Sequence, residues 1–481
     1  MSGKIALYTP DTGFPDLEIK IAYGLIRVGI EAGAEVSLTP YDGLYQITFS
    51  STTENTKIDK AFNLLLKRIL TSQKFYDIGV KARYKKNYIP SKETINRLSQ
   101  ITLRELYKFK LRVNFDFTKD RQCGHKGAKF GATKLNEREL GGLILLTSVH
   151  AGKPQYRDQR KRDLNLGLCE TCGYLSVLGK ESFCFTIQLG KGKNRKFVIV
   201  TPMPNRTLKM KELSHLLSIQ KTLHNFWLSD LIPLNVFTLG LLAKIPSLSD
   251  IVRDLQINLH LVLLSKDNRG DTVVEQVSIV NASPFGNFIT SSAYNSATIY
   301  KLIEREPKIS ALQEINSIIK KPEPFKLLKF ARLYVQETST NNWTNLLYPE
   351  TTNYLLKEVA MVKTKIIENS SIRSVARMLR YFIRERKYGY ADDIRNARKD
   401  SKDFEETIAK MLREAELRRV QQEQDKKQNK EIKNIVYIPN EDEIKELFKL
   451  ANEDFEGTKI ALVMLAFSFP TKKEKTEEIT S

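Results

Sequence analysis

Three of the four cysteines and one of the five histidines carry the clearest metal-binding pattern in this sequence of 481 residues. Cys169 and Cys172 stand three positions apart with Gly173 after them, which is the layout of a zinc-knuckle half-site around a tight turn. Cys123 and His125, in another glycine-rich stretch upstream, form the second half-site. Together the four side chains complete a tetrahedral Cys3His set, so we predict one structural zinc ion.

The fourth ligand of this site stays open at the level of sequence. Cys184 is an alternative to His125, although it alternates with Phe183 and Phe185 as a small core residue of a strand does. An ancestral site that has lost its metal, or a set of unrelated cysteines, are further interpretations. A catalytic zinc ion is not expected, because a closed Cys3His set leaves no open position for water.

A segment near the C-terminus combines an apolar helical face with a cationic one. Five cations recur at steps of 4, 3, 4 and 3 and therefore share one side of a helix: Arg373, Arg377, Arg380, Arg384 and Lys387. Ile372, Val375 and Leu379 lie on the opposite side. We predict that the apolar side packs and that the cations, called here the basic ridge, contact a phosphate backbone. The alternative is a solvated face paired with acids of neighbouring helices.

A second cationic group lies at the turn between two predicted strands. Residues 190–196 read GKGKNRK and are called here the basic tip. Its candidate nucleic-acid contacts are Lys191, Lys193, Asn194, Arg195 and Lys196. A compact cationic turn of this kind can enter a groove of a duplex, and a solvated loop is the alternative.

A third and weaker candidate is the loop Asn341, Asn342 and Trp343. Its tryptophan could stack on a base, but a lone tryptophan is more often part of a core.

Sequence motifs of the common enzyme classes are missing. The basic tip lacks the spacing and the final Ser or Thr of a P-loop, and the sequence contains neither a GxSxG elbow nor a kinase signature. Four histidines, namely His150, His215, His224 and His260, stand singly in apolar or mixed surroundings. We therefore expect a binding protein without a catalytic centre.

The hydrophobic patterns predict an α+β, multi-domain protein: an α/β N-terminal part with an inserted cysteine (zinc-ribbon-like) module and a helical C-terminal domain. The expected domains are 1–112 (α/β), 113–201 (zinc-binding-like module and basic hairpin), 202–350 (α+β, completing the N-terminal part) and 351–481 (helical, with a polar linker at 421–434). The predicted strands are Lys4–Thr9, Glu35–Thr39, Tyr45–Phe49, Phe183–Leu189, Phe197–Thr201, Ile257–Leu264 and Val273–Val280. The predicted helices include Leu17–Gly33, Lys57–Lys74, Lys92–Arg112, a stretch from about Leu208 to Leu228 and most of 350–423. Residues 282–297 are expected to form a loop.

The overall composition points to an anionic partner. The chain has 77 Lys+Arg against 56 Asp+Glu, a formal charge of +21, and phosphate backbones are the commonest partner of such a surplus. No run of 18 apolar residues and no signal-peptide layout occurs, and four cysteines do not make a disulfide framework. We expect a cytoplasmic protein that does not contact a membrane.

This combination resembles the large subunit of archaeal type I-A CRISPR effector complexes (Cascade). The similarity rests on the α/β N-terminal part, the two cysteine half-sites with CETCG (169–173) as the second, the hairpin after it and the basic helical C-terminal part. The resemblance implies a non-catalytic subunit that recognises the PAM in double-stranded DNA, aids R-loop formation and helps recruit the helicase–nuclease in antiviral defence. The implied partners are crRNA, target double-stranded DNA, the backbone, handle-binding and small subunits of the complex, and the helicase–nuclease.

That division of labour needs no nucleophile, because base pairing with the guide reads the sequence and the protein supplies a short groove contact. A zinc-stabilised nuclease and an RNA-processing scaffold are the alternative functions.

Overall fold

A computed structural model describes residues 5–9, 15–41, 44–49, 55–71, 170–190, 196–222, 227–229, 232–266, 272–304, 306–399, 402–430, 432 and 434–470. The chain divides into two compact units, Met1–Thr238 with Ser247–Gly286 and Leu239–Pro246 with Asn287–Ser481. The prediction from the sequence instead places its last boundary near residue 350. Each unit is described by itself.

The first unit is mixed α and β. Its elements are β1 (Ile5–Tyr8), α1 (Pro15–Glu31), β2 (Val36–Tyr41), β3 (Leu44–Phe49), α2 (Asn55–Thr71), α3 (Glu170–Phe183), β4 (Phe185–Leu189), β5 (Lys196–Pro204), β6 (Leu208–Lys209), α4 (Met210–Thr222), β7 (Trp227–Leu228), α5 (Leu234–Lys244), α6 (Pro246–Leu255), β8 (Ile257–Lys266), β9 (Thr272–Asn281) and α7 (Ser283–Ser291). α5 and α7 begin in this unit and end in the second.

A four-stranded antiparallel sheet in the order β1-β3-β2-β6 confirms the N-terminal strand predictions. Its inward residues, such as Leu38 and Ile47, are completely buried. α1 covers this sheet and comes so close that a Cβ on Gly29 would lie 2.4 Å from the Val36 side chain. The helix is followed by a turn that ends at Gly33, whose φ of +73° is a conformation that favours glycine. The expected helix end at Gly33 is therefore confirmed.

α3 is not among the helices predicted from the sequence, which places a zinc-binding-like module in this region. α3 packs against α1 with almost no space between the two backbones. A Cβ on Gly179 would lie 1.8 Å from the Lys20 carbonyl oxygen. A Cβ on Gly24 would lie 2.0 Å from the Leu175 carbonyl oxygen. Both glycines are required by this close approach, and in the sequence a glycine kept for packing looks the same as a turn residue.

A five-stranded sheet in the order β7-β4-β5-β8-β9 forms the rest of the first unit. The pairs β4–β5 and β8–β9 are the two predicted hairpins, and both are confirmed. β5 pairs along its whole length with β8, while the short β7 lies parallel to β4. The strands β4, β5 and β8 place alternate apolar residues in the core, including Ile187, Val198 and Leu261.

The second unit is helical among its described residues, as expected for the C-terminal part. Its further elements are α8 (Ala293–Ile303), α9 (Ile309–Lys320), α10 (Pro324–Thr338), α11 (Pro349–Tyr354) with a π-helical continuation (Leu355–Val359), α12 (Thr364–Ile367), α13 (Ser370–Arg384), α14 (Gly389–Asn396), α15 (Asp403–Lys427), α16 (Glu441–Glu453) and α17 (Phe455–Ala466). α13 carries the predicted apolar face, and Ile372, Val375 and Leu379 are completely buried, which confirms the amphipathic pattern.

Two details of this region differ from the sequence-based expectations. Residues 282–297 form α7 and the start of α8 rather than a loop. The side chains of Phe285 and Phe288 are buried, and Ser292 caps α8 by accepting a hydrogen bond from the Tyr294 N–H. The segment is helical because its apolar side chains pack into the core, a pattern that its Ser, Asn and Gly content conceals in the sequence. The first half of the segment 421–434, expected to be a polar linker, is the end of a helix, because α15 continues to Lys427.

Within the part of the chain that the structure describes, no single helix is both long and apolar enough to cross a membrane, and the bent pair α5 and α6 meets that test only when taken together.

Candidate nucleic-acid interface

The predicted zinc ligands fall mainly outside the described residues, as Cys123, His125 and Cys169 all do. Cys172 lies in the first turn of α3 and is completely buried. The structure thus corrects the expected tight turn at Cys172 and Gly173, since both residues are helical. No group of three or more His, Cys, Asp or Glu side chains that could hold a metal ion occurs in the described ranges, and these contain only one of the four predicted ligands.

Cys184, the alternative fourth ligand, belongs to the core of the first unit. It is buried with Ile199, Val262 and Leu264, and its Sγ lies 3.4 Å from the Thr201 hydroxyl. Burial raises the pKa of the Cys184 thiol, which disfavours the thiolate that zinc requires. These observations favour the interpretation of Cys184 as a core residue.

The basic ridge of α13 is largely a set of protein contacts. Arg380 is 3% exposed, and its Nη2 donates to the Leu465 carbonyl oxygen at 3.0 Å. The prediction that Arg380 presents its charge to a phosphate backbone is therefore wrong. Helical spacing identifies the residues on one side of a helix, but it does not show how far neighbouring helices cover that side.

The other members of the basic ridge are less buried, and each one makes contacts within the protein. Arg373 Nε donates to the Ile367 carbonyl oxygen at 3.2 Å, and the Arg377 guanidinium lies 4.4 Å from the centre of the Tyr437 ring. Arg384 is half-buried. A role of Arg373, Arg377, Arg384 and Lys387 in nucleic-acid binding stays a prediction.

Lys387 is exposed and forms an ion pair with Glu414, with 2.6 Å between Nζ and Oε1. The Tyr390 hydroxyl donates to the other oxygen of the same carboxylate at 2.5 Å. Hydrogen bonds from Lys387 and Tyr390 hold the pKa of Glu414 below its usual range. The ridge therefore ends in a neutralised pair at the surface.

The basic tip is held at both ends by the five-stranded sheet. Leu189 pairs with Lys196 in the β4–β5 register, so the two strands meet directly below the tip. Gly190 has a φ of +70°, and its N–H donates to the Leu228 carbonyl oxygen at 2.8 Å. Lys196 forms an ion pair with Glu275 at 2.8 Å. The candidates Lys191, Lys193, Asn194 and Arg195 lie outside the described residues.

The loop at Trp343, the weakest sequence candidate, exposes its tryptophan side chain. Trp343 is 63% exposed, so the alternative of a core position does not hold. The Thr340 N–H donates to the Trp343 carbonyl oxygen at 2.9 Å. In the reverse direction, the Trp343 N–H donates to the Thr340 carbonyl oxygen at 3.4 Å. Asn341 and Asn342 form the exposed end of this turn. We call residues 340–343 the tryptophan turn.

The end of α13 braces the tryptophan turn. Arg386 Nη2 donates to the Thr340 carbonyl oxygen, and the Thr344 hydroxyl donates to the Arg384 carbonyl oxygen at 3.1 Å. Arg386 has a φ of +61°, and its N–H donates to the Ile383 carbonyl oxygen at 2.9 Å. It thus occupies the position after a helix end that is usually glycine. No local sequence pattern pairs residue 386 with residue 340.

A group of buried ionisable side chains in the first unit was also missed from the sequence. Lys20 and Asp16 on α1 are each 2% exposed and form an ion pair at 3.2 Å. His260 on β8 is 5% exposed, and burial lowers its pKa while Asp16 opposes this shift and Lys20 adds to it. The group has the composition of a structural polar network, in which each charge is stabilised by a partner.

The positive charge of the chain is unevenly distributed. Residues 72–169 contain 22 Lys+Arg against 9 Asp+Glu, so this segment alone carries 13 of the 21 surplus charges. Four more cations, Lys191, Lys193, Arg195 and Lys196, lie in the basic tip. The surplus therefore concentrates in the segment before α3 and in the turn after β4.

Comparison with known proteins adds no assignment: neither a scan against protein-family models nor a search of curated proteins finds a match to this chain.

Proposed function

We propose that this protein is a nucleic-acid-binding subunit of a ribonucleoprotein complex that carries no catalytic centre of its own. Within that class, we propose the large subunit of a type I-A crRNA-guided effector, which recognises the PAM in double-stranded DNA, aids R-loop formation and helps recruit the helicase–nuclease. The resemblance described above supports this more specific assignment.

The observation that carries the proposal is the anchoring of the basic tip. Paired strands hold both of its ends, and the four residues Lys191, Lys193, Asn194 and Arg195 lie between them. A cationic segment whose two ends are held by paired strands can supply a short groove contact, because its position on the sheet is set.

The charge distribution supports the same function. A segment with 13 surplus positive charges needs an anionic partner of comparable charge density, and a nucleic-acid backbone provides one. Neutralising phosphates releases counterions, so such an interaction weakens steeply as the salt concentration rises.

The proposed zinc site has a structural role in this account. The residues that would hold the ion are Cys123, His125, Cys169 and Cys172, a set of soft thiolates and an imidazole that suits zinc. Cys172 fits this role because it lies in the first turn of a helix that immediately follows Cys169. A bound ion would fix the start of α3 relative to the cationic segment before it.

The proposal is tested by titrating the purified full chain into labelled double-stranded DNA and single-stranded DNA or RNA of mixed sequence at several salt concentrations. We expect binding whose affinity falls with salt, and no cleavage of any probe in magnesium or manganese. Binding that is absent at low salt would contradict the proposal. Metal-dependent cleavage that copurifies with the chain and disappears in a point variant would assign it to the nucleases instead.

A further inference from the structure

We infer that the tryptophan turn is a stacking platform for an unpaired base of single-stranded nucleic acid, with Trp343 as the stacking side chain. The inference rests on the proposed function and specifies one of its contacts. It is carried by an exposed indole, two exposed amides and two exposed cations that the structure brings together at the end of α13.

The exposure of Trp343 has no structural explanation within the second unit. A tryptophan placed on a surface exposes a large apolar area to water, and such side chains are typical of binding sites. At 63% exposure, Trp343 leaves most of its ring available to a partner. The hydrogen bonds between Thr340 and Trp343 fix the backbone that carries the ring. The platform is thus formed before a base binds.

The groups around Trp343 suit a nucleotide. Asn341 and Asn342 are exposed, and each amide offers a donor and an acceptor of the kind found on the edge of a base. Arg386 and Lys387 are exposed within the segment that braces the turn, although Arg386 holds the Thr340 carbonyl oxygen and Lys387 pairs with Glu414. An ion pair between exposed side chains contributes little stability, so Lys387 can exchange Glu414 for a phosphate. An aromatic ring beside cations is the combination by which proteins hold single strands without reading their sequence.

The conformation of Arg386 supports a role for its side chain. A residue with a side chain is strained at a φ of +61°, and glycine would adopt this conformation without cost. Arg386 instead uses its guanidinium to hold the Thr340 carbonyl oxygen. The positive φ of Arg386 is thus accompanied by a side-chain contact with the turn, which glycine could not make.

A protein partner is the other class that an exposed tryptophan could serve. The nearby cations and amides favour a nucleotide, because the apolar area of the turn is a single ring rather than a patch. The test therefore includes a measurement of protein association.

The experiment uses the full chain and a labelled oligothymidine of about 20 nucleotides, which has unpaired bases throughout. Trp343→Ala is compared with Trp343→Phe and with Phe325→Ala as a matched control. Phe325 is likewise an exposed aromatic residue, 59% exposed, and lies at the opposite end of α10 from the turn. Affinity and tryptophan fluorescence are both measured.

We expect Trp343→Ala to weaken binding roughly 5- to 150-fold, the effect of losing one stacked base, and Phe325→Ala to leave it unchanged. Trp343→Phe should retain most of the affinity. In the wild-type chain the bound oligonucleotide should quench the fluorescence of Trp343, and this quenching should be absent in Trp343→Phe. Quenching reports stacking, which a purely structural role of Trp343 would not produce.

Three results would overturn the inference. If the wild-type chain binds the oligonucleotide and Trp343→Ala binds equally well, stacking is excluded and the proposed function stands. If the wild-type chain binds no nucleic acid, the proposed function and the inference both fail. If Trp343→Ala loses association with protein subunits but keeps its affinity for the oligonucleotide, Trp343 is a protein anchor.

Discussion

The guanidinium of Arg386 donates a hydrogen bond to the carbonyl oxygen of Thr340, the same oxygen that accepts the N–H of Trp343. One atom thereby joins the end of α13 to the turn that exposes the indole ring. The strained residue at the helix end and the exposed tryptophan are therefore parts of one arrangement.

Replacing Arg386 with glycine should lower the affinity for single-stranded nucleic acid while leaving the stability of the fold nearly unchanged. Glycine removes about 1 kcal/mol of backbone strain, and the lost hydrogen bond costs about the same, so the free energy of unfolding should change little. The affinity for single-stranded oligothymidine should fall, because the turn loses its brace and a cation. Denaturant unfolding and a binding titration measure the two effects.

Met361→Gly is the matched control for this substitution. Met361 also has a positive φ, +53°, and its side chain is 79% exposed. It should gain about 1 kcal/mol of stability and keep its affinity. An equal loss of affinity in both variants would show that Arg386 has no specific role.

Gly179→Ala should destabilise the first unit. The added methyl group would lie 1.8 Å from the Lys20 carbonyl oxygen, so α1 and α3 must move apart, at a cost of about 1–3 kcal/mol. Gly389→Ala is the control, since a Cβ at this helical position meets nothing within 4 Å. Thermal unfolding of both variants checks the prediction, and equal midpoints would contradict the close packing of α1 on α3.

Arg380→Met should lower stability without changing the salt dependence of nucleic-acid binding. It leaves the buried Leu465 carbonyl oxygen without the Arg380 donor, at a cost of about 1–3 kcal/mol. Lys445→Met, which removes an exposed cation paired with Glu441, should change the stability little, because ion pairs between exposed side chains contribute little. If a folded Arg380→Met protein shows a smaller slope of log affinity against log salt than the wild-type chain, Arg380 does contact nucleic acid.

Periodicity predicted the longer strands of both sheets, the two hairpins and the apolar face of α13, because each depends on local alternation between buried and exposed positions. The two-residue strands β6 and β7 lie at the ends of a stretch predicted to be helical, of which only α4 is a helix. Periodicity failed where tertiary contacts decide. Gly179 is needed by a helix contact, and the segment 282–297, which reads as a polar loop, forms helices that bury Phe285, Phe288 and Asn295. The site shows the same limit: spacing found the cations of α13, but covering by α16 and α17 buries Arg380, and the pairing of Arg386 with Thr340 spans 46 residues.

Metal content tests the predicted zinc site. Protein purified without chelator should hold about one zinc ion, and Cys169→Ser or Cys172→Ser should reduce this content and lower thermal stability, because structural zinc contributes folding free energy directly. Cys184→Ala is the control and should keep its zinc, since the Cys184 thiol packs in the core. A wild-type content under about 0.2 equivalents would exclude the site.

The slope of log affinity against log salt for double-stranded DNA tests the central claim most directly. The triple variant Lys191→Ala, Lys193→Ala and Arg195→Ala removes three of the four cations of the basic tip and keeps Lys196, which pairs with Glu275. We predict a slope that is smaller than that of the wild-type chain by about 2–3 units, close to 0.9 per lost phosphate contact. An unchanged slope in the folded variant, or a wild-type affinity that does not depend on salt, would contradict the account of the basic tip as a nucleic-acid contact.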